Sequence, residues 1–155
     1  MQVLTAPPGL EAPAGGIAIE GSKVHCGPEL SIIVPTFNER ANVVELTNRV
    51  REHLHDVAWE IIYVDDDSPD RTADLVRELA LQDARIRCIQ RIGRRGLSSA
   101  CIEGMLSSSA PYMAVIDGDL QHDERLLPQM LAELKAGNLD IVVGSRYSAG
   151  GGIGD

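Results

Sequence analysis

The sequence predicts an α/β protein, a mostly parallel sheet with helices on both faces, built as a single domain. Three observations predict it. Five short apolar runs recur along the chain: "LSIIVP" (30–35), "EIIYVD" (60–65), "IRCIQR" (86–91), "YMAVID" (112–117) and "LDIVVGSRY" (139–147). Several are continuous rather than alternating, as strands covered on both faces require. Segments of helical spacing separate them, and strands alternating with helices argue for parallel pairing.

Residues 1–28, with "APPGLEAPAGG", are rich in Pro, Gly and Ala and show no sustained period, so a flexible leader is expected there. The folded domain is expected over 29–155. Its first strand stops at a proline. In 39–54, Val43, Leu46, Val50 and Leu54 share one helical face. After the second strand, the segment 68–83 predicts a helix with Ser68 as N-cap and Pro69 in its first position, burying Leu75, Val76 and Leu79. The third strand runs into the basic loop "RIGRRG" and a helix over 97–108, whose small residues suit close packing. The fourth strand precedes a helix over 123–137, where Pro128 falls early enough to cost little.

Composition narrows the function. The 155 residues carry a formal charge of −9, which disfavours a nucleic-acid partner, because phosphate-binding faces are basic. A nucleotide accompanied by a divalent cation remains compatible. Cys26, Cys88 and Cys101 are scattered, with no metal-ligand spacing, and suit reduced cysteines in the cytosol. No apolar run approaches the roughly 20 residues of a membrane-spanning helix, and no secretion-signal pattern opens the chain, so it reads as soluble.

The polar clusters gather at one place. "PTFNE" (35–39), "DDDSPD" (65–70), "DGDLQH" (117–122) and "GSRY" (144–147) all follow the carboxyl ends of strands. Open α/β sheets bind ligands at that rim. Asp117 and Asp119, spaced by Gly118, can converge on one hard cation, with Gln121 adding a neutral oxygen; Mg²⁺ or Mn²⁺ suits such a set. Of Asp65, Asp66 and Asp67, one could cap a helix and another accept a nucleobase N–H. The backbone around Pro35 and Phe37 could border a base or ribose, with Glu39 near the sugar or its phosphates; alternatively, Asn38 and Glu39 begin a helix. Arg146 suits a phosphate or a surface ion pair. Arg91, Arg94 and Arg95 form a basic patch that either meets an anion or lipid headgroups or stays a solvated loop, the plainer expectation. His122 is placed to shape the acidic site. The "SAGGGIGD" ending is too loose for a dinucleotide fingerprint; a Walker-type phosphate loop and a Gly-x-Ser-x-Gly elbow are absent from the sequence, which argues against dehydrogenase, NTPase and hydrolase chemistry.

Taken together, "IIVPTFNERANV", "IIYVDDDSPDRTADLV", "RRGLSSACIEGM", "VIDGDLQHDERLLPQML" and "DIVVGSRYSAGGG" resemble glycosyltransferase family 2, within it the dolichyl-phosphate (polyprenyl-phosphate) mannosyltransferases. The resemblance covers about residues 30–152. It implies a GT-A (Rossmann-like) fold, GDP-mannose as the nucleotide-sugar donor, a divalent metal, and a polyprenyl or dolichyl phosphate acceptor at the cytoplasmic face of a membrane, with peripheral membrane contact. By the same resemblance, Pro35, Phe37, Glu39, Val64 and Asp66 line the nucleoside pocket. Asp117, Gly118, Asp119 and Gln121 meet metal and diphosphate, and Arg146 contacts phosphate, with Asp119 and Arg146 the catalytic pair. Family members continue beyond the "GSRY–GGG" segment, so the chain is expected to be C-terminally truncated and to lack part of the acceptor side. A nucleotide-sugar-binding fragment without turnover is the alternative. A nucleotidyltransferase would need a glycine-rich, lysine-containing loop after the first strand, and none follows it.

Overall fold

The computed structural model describes residues 2–5 and 27–145. In chain order the elements are β1 (Gln2–Thr5), β2 (Leu30–Thr36), α1 (Arg40–His53), β3 (Trp59–Asp65), α2 (Thr72–Ala80), β4 (Ile86–Gln90), α3 (Leu97–Ser107), β5 (Tyr112–Val115), a 3₁₀ turn (Glu124–Leu126), α4 (Leu127–Lys135) and β6 (Ile141–Gly144). They form a six-stranded sheet in the order β4-β3-β2-β5-β1-β6. Strands β2 to β5 pair in parallel, and β1 lies antiparallel between β5 and β6. Among the described residues no helix is long and apolar enough to cross a membrane.

Two expectations are corrected. Residues 2–5 form a strand rather than part of a featureless leader: Val3 pairs with Val115 on one side and Val143 on the other. Four residues are too few to show a period in sequence, and the pairing comes from two open strand edges that meet their backbone groups. Helix α2 begins at Thr72 and not at Ser68; Arg71 stands at its N-cap without a side-chain cap of its own, and the Asp70 carboxylate holds the first turn. Asp70 Oδ1 accepts the backbone N–H of Thr72 at 3.0 Å and the hydroxyl of Thr72, and its Oδ2 accepts the N–H of Arg40 at 3.1 Å. Asp67 and Arg71 adopt left-handed backbone at φ 58° and 66°, winding the loop before the helix starts.

Strand parity decides which side chains meet which helices. Leu30, Ile32 and Val34 with Ile61 and Tyr63 pack against α1, α2 and α4 through Val43, Leu46, Val50, Val76, Leu127 and Leu131. Ile33, Ile62 and Val64 point the other way, where Ala100 of α3 covers them. Each fully buried aliphatic side chain contributes roughly 1.5–3 kcal/mol relative to exposure. Gly104 lets α3 lie close: a β-carbon there would stand 2.5 Å from Ile33 Cγ2. The foot of α3 is fastened by a polar chain in which Ser108 Oγ donates to Ser31 Oγ, Ser31 Oγ to Glu60, and Arg87 Nη1 to Glu60 Oε2 at 2.9 Å. A buried carboxylate at that position is tolerable because both oxygens are met.

Candidate functional site at the carboxyl ends of the strands

The connection after β2 places β3 and then β4 on one side of it, and the chain then crosses to lay β5 on the other. The strand order therefore reverses between β2 and β5, the crevice where such sheets bind ligands. Proline explains why it opens there. Ile33 turns its carbonyl toward β5, where Ile116 donates to it at 3.1 Å. Residue 35, two positions on, faces the same way, and Pro35 has no N–H to continue the ladder. The β2–β5 register ends at Ile33 and Val115, whereas β2 and β3 stay paired to Thr36 and Asp65.

The acidic turn leaves β5 into this opening. Gly118 is buried against the start of α1, its hypothetical β-carbon 3.3 Å from both Glu39 Cγ and Thr36 Cγ2. Asp117 is half-exposed, with His122 Nε2 at 3.0 Å from its Oδ2. Asp119 is exposed; its Oδ1 accepts the N–H of Gln121 at 3.0 Å across Leu120, which takes left-handed backbone at φ 62°. Gln121 is exposed beside it. His122 thus shapes the acidic turn as the sequence suggested. Burial first, and then the charge of Asp117, push the Cys101 thiol above its usual range, so it stays protonated at neutral pH.

The three aspartates ending β3 separate by parity. Asp65 faces α2 and is spent locally: it accepts the Ser68 N–H at 2.9 Å, the Ser68 hydroxyl, and Thr36 Oγ1 at 3.3 Å. Asp67 is exposed and accepts Gln90 Nε2 at 2.7 Å. Asp66 faces the α3 side, almost covered, with Oδ1 3.0 Å from Arg91 Nη1 and Oδ2 accepting the Gly96 N–H at 2.7 Å. Arg91 corrects the expectation of a solvated basic loop. It is 2% exposed, because residues 87, 89 and 91 share the α3 face of β4 and the guanidinium lies under the start of α3. Arg94 is exposed but paired with Glu103. Arg95 stacks on the ring of Phe37, 4.4 Å from its centroid.

The other nucleoside-pocket candidates are placed as follows. Phe37 is exposed at the rim. Glu39 precedes α1, and its Oε2 accepts Asn42 Nδ2 at 2.6 Å. Pro35 and Val64 are buried; Val64 packs beneath Gly104 and its backbone is taken up in the sheet, so neither its side chain nor its backbone is open to a ligand. The structure places Pro35, Phe37, Glu39, Asp117, Gly118 and Asp119 at one rim of the sheet, where Gly118 packs on Glu39, with Asp66 on the neighbouring strand end. Arg146 lies outside the described residues. Sequence reasoning missed the Arg91–Asp66 contact, although the shared parity of positions 66 and 91 on adjacent strands was the available signal.

Residues 31–155 match the sequence profile described as glycosyl transferase family 2. The chain belongs to glycosyltransferase family 2. A dolichol-phosphate mannosyltransferase of Pyrococcus furiosus is 42% identical over 125 residues, a match to 81% of this chain and 35% of that protein. The Saccharomyces cerevisiae protein of the same name is 36% identical over 128 residues, covering 81% and 47% respectively. This family 2 chain therefore spans less than half the length of these curated relatives. Among solved structures, a mannosyltransferase from Pyrobaculum calidifontis in complex with GDP-Man and Mn²⁺ superposes with a TM-score of 0.52 at 25% identity, over 66% of this chain and 31% of that one. The fold is GT-A-like, as expected.

Two carboxylates on one turn, Asp117 and Asp119, are donors of the type a hard divalent cation takes, and Gln121 is joined to Asp119 through its backbone N–H. Among the described residues no three His, Cys, Asp or Glu side chains gather as a ready-made cage.

Proposed function

We propose that this chain carries the donor half of a metal-dependent, inverting hexosyl transfer, mannose passing from GDP-mannose to a polyprenyl or dolichyl phosphate. The observation that carries the reading is the Asp117–Gly118–Asp119 turn at the β2–β5 reversal, pressed against Glu39. The named relatives and the GDP-Man complex of the Pyrobaculum protein support the choice of sugar nucleotide. Asp117, Asp119 and Gln121 would hold Mg²⁺ or Mn²⁺, which supplies a Lewis acid at the diphosphate. Pro35, Phe37 and Glu39 would border the nucleoside, Asp66 would accept a base N–H, and Arg146 would contact phosphate.

In the transfer, an acceptor phosphate oxygen forms the new bond to the anomeric carbon while the bond to the donor β-phosphate breaks, and the electron pair leaves with the nucleoside diphosphate. In-line displacement inverts the anomeric centre. The acceptor is already ionised at neutral pH, its second pKa near ~6, so the residues need not remove a proton. That agrees with the described residues, among which the His–Asp contact at this rim is His122 with Asp117, on the acidic turn itself. The acceptor places the reaction at the cytoplasmic face of a membrane, with the protein in peripheral contact.

The short span relative to the relatives favours a second reading, a nucleotide-sugar-binding unit that needs further elements for turnover. Calorimetry with GDP-mannose, GDP and UDP, with and without Mn²⁺, tests the donor site. Metal-independent or absent binding would overturn it. Adding a short polyprenyl phosphate and assaying for its mannosylated product separates the two readings.

A further inference from the structure

We propose that Arg91 is a positioning residue for nucleobase recognition, fixing the direction in which the Asp66 carboxylate presents its oxygens. The inference rests on the nucleotide reading above and adds a specificity-determining residue to it.

Arg91 leaves β4 with its backbone N–H on the Asp65 carbonyl at 2.8 Å, so its origin is tied to the end of β3. The guanidinium is 2% exposed, a burial that a cation tolerates only when partners surround it. They do. Nη1 stands 3.0 Å from Asp66 Oδ1 and donates to the Gly96 carbonyl at 3.1 Å. Nη2 donates to Ser99 Oγ at 2.6 Å, and Nε lies 3.5 Å from Glu103 Oε1. The two Nη arms of the planar fork are therefore assigned to Asp66, the Gly96 carbonyl and Ser99, while the buried Nε has only the longer approach of Glu103, an arrangement a lysine could not reproduce.

Asp66 is held from two sides, by Arg91 at Oδ1 and by the Gly96 N–H at Oδ2. Oδ1 is wholly buried against the guanidinium. An incoming donor would therefore have to meet Oδ2, a carboxylate oxygen with a second lone pair beside the one the Gly96 N–H takes. A nucleobase imino or amino N–H is a donor of the right kind. The same loop reaches the rim of the crevice, where Arg95 lies on Phe37, so the loop that orients Asp66 also braces a second candidate wall of the base site.

A buried pair kept only for structure would, when broken, weaken every ligand equally through loss of the fold. A positioning role predicts a split. With Mn²⁺ present, titrate GDP, UDP and inorganic pyrophosphate into the full chain and its R91M, R91K and D66A variants. R91M is expected to lose at least tenfold in GDP affinity and to flatten the GDP/UDP preference. Pyrophosphate affinity should stay within about twofold, and R91K should recover part of the loss. If D66A loses GDP affinity selectively while R91M binds GDP as the unmodified protein does, or loses GDP and pyrophosphate in parallel, the positioning role is overturned and the nucleotide reading stands. If the unmodified protein binds no nucleoside diphosphate, both fall. Should R91M fail a melting check, R91K decides: a selective GDP loss of threefold or more supports the role, and unchanged GDP affinity overturns it.

Discussion

Gly118 packs closely on Glu39 across the β2–β5 reversal: a β-carbon at 118 would stand 3.3 Å from Glu39 Cγ, tighter than ordinary contact. The acidic turn is thus seated on the residue that opens α1, and its position depends on the missing side chain. Gly118→Ala should be tolerated, since the Glu39 stem can yield by a few tenths of an ångström. Gly118→Val should push the turn out of the crevice and reduce Mn²⁺-dependent GDP affinity at least tenfold while shifting the melting temperature little. Parallel calorimetry and thermal melts check both; unchanged GDP affinity in the valine variant would detach the turn from the site.

Asp119 is the exposed member of the acidic pair and is bonded to the turn through Gln121. Asp119→Ala removes one of two carboxylates available to a cation. The increment in GDP affinity that Mn²⁺ provides should disappear, whereas metal-free binding should stay as it was. A titration in which Mn²⁺ still strengthens binding would contradict the assignment.

Gly104 is a packing position rather than a catalytic one. Overpacking a close helix–sheet contact costs about 1–3 kcal/mol, against which a helical Gly→Ala change returns roughly 1 kcal/mol. Gly104→Ala should therefore be a net loss of about 0–2 kcal/mol, toward the upper end because the added carbon would stand 2.5 Å from Ile33 Cγ2, a fall of a few degrees in melting temperature. An unaltered melt would mean that α3 can rise from the sheet without penalty.

Asp83 supplies a pH-dependent term far from the crevice. Arg85, in a two-pronged contact of 2.9 and 2.8 Å, and then Arg51 at 3.0 Å hold its carboxyl well below the usual carboxylate range. A folded-state pKa lowered in this way contributes stability above the unfolded value of about 3.9 and loses it as pH falls toward the folded one. Solvent screening limits the contribution to about 0.5–1 kcal/mol. Asp83→Asn should melt about 2 °C lower at pH 7, and the gap should narrow below about pH 4. A gap that widens on acidification would reverse the sign of this argument.

Much of the fold was legible because continuous Val/Ile runs admit one placement, between two layers of helix. The same runs also gave away the layers, since alternation along β3 sends Glu60, Ile62, Val64 and Asp66 to one face and Ile61, Tyr63 and Asp65 to the other. Capping in the 66–71 loop was less legible: Ser68 and Asp70 are both good caps, and only the meeting with Arg40 of α1 decides for Asp70. Arg91 hid for a similar reason. A basic residue beside Gly, Arg and Arg reads as surface until the carboxylate opposite it, 25 positions away in sequence, is brought alongside by strand pairing. Strand β1 was illegible because four residues carry no period, and its partners are more than a hundred positions distant.

Pro35 has a consequence beyond ending a ladder. Along that edge the backbone offers an oxygen and withholds a hydrogen, so a visiting molecule meets an acceptor with no rival donor at its side. A hydroxyl or ring N–H therefore finds an acceptor there, and a bare anion does not. One imino acid thereby sets which end of a polar ligand that edge can take.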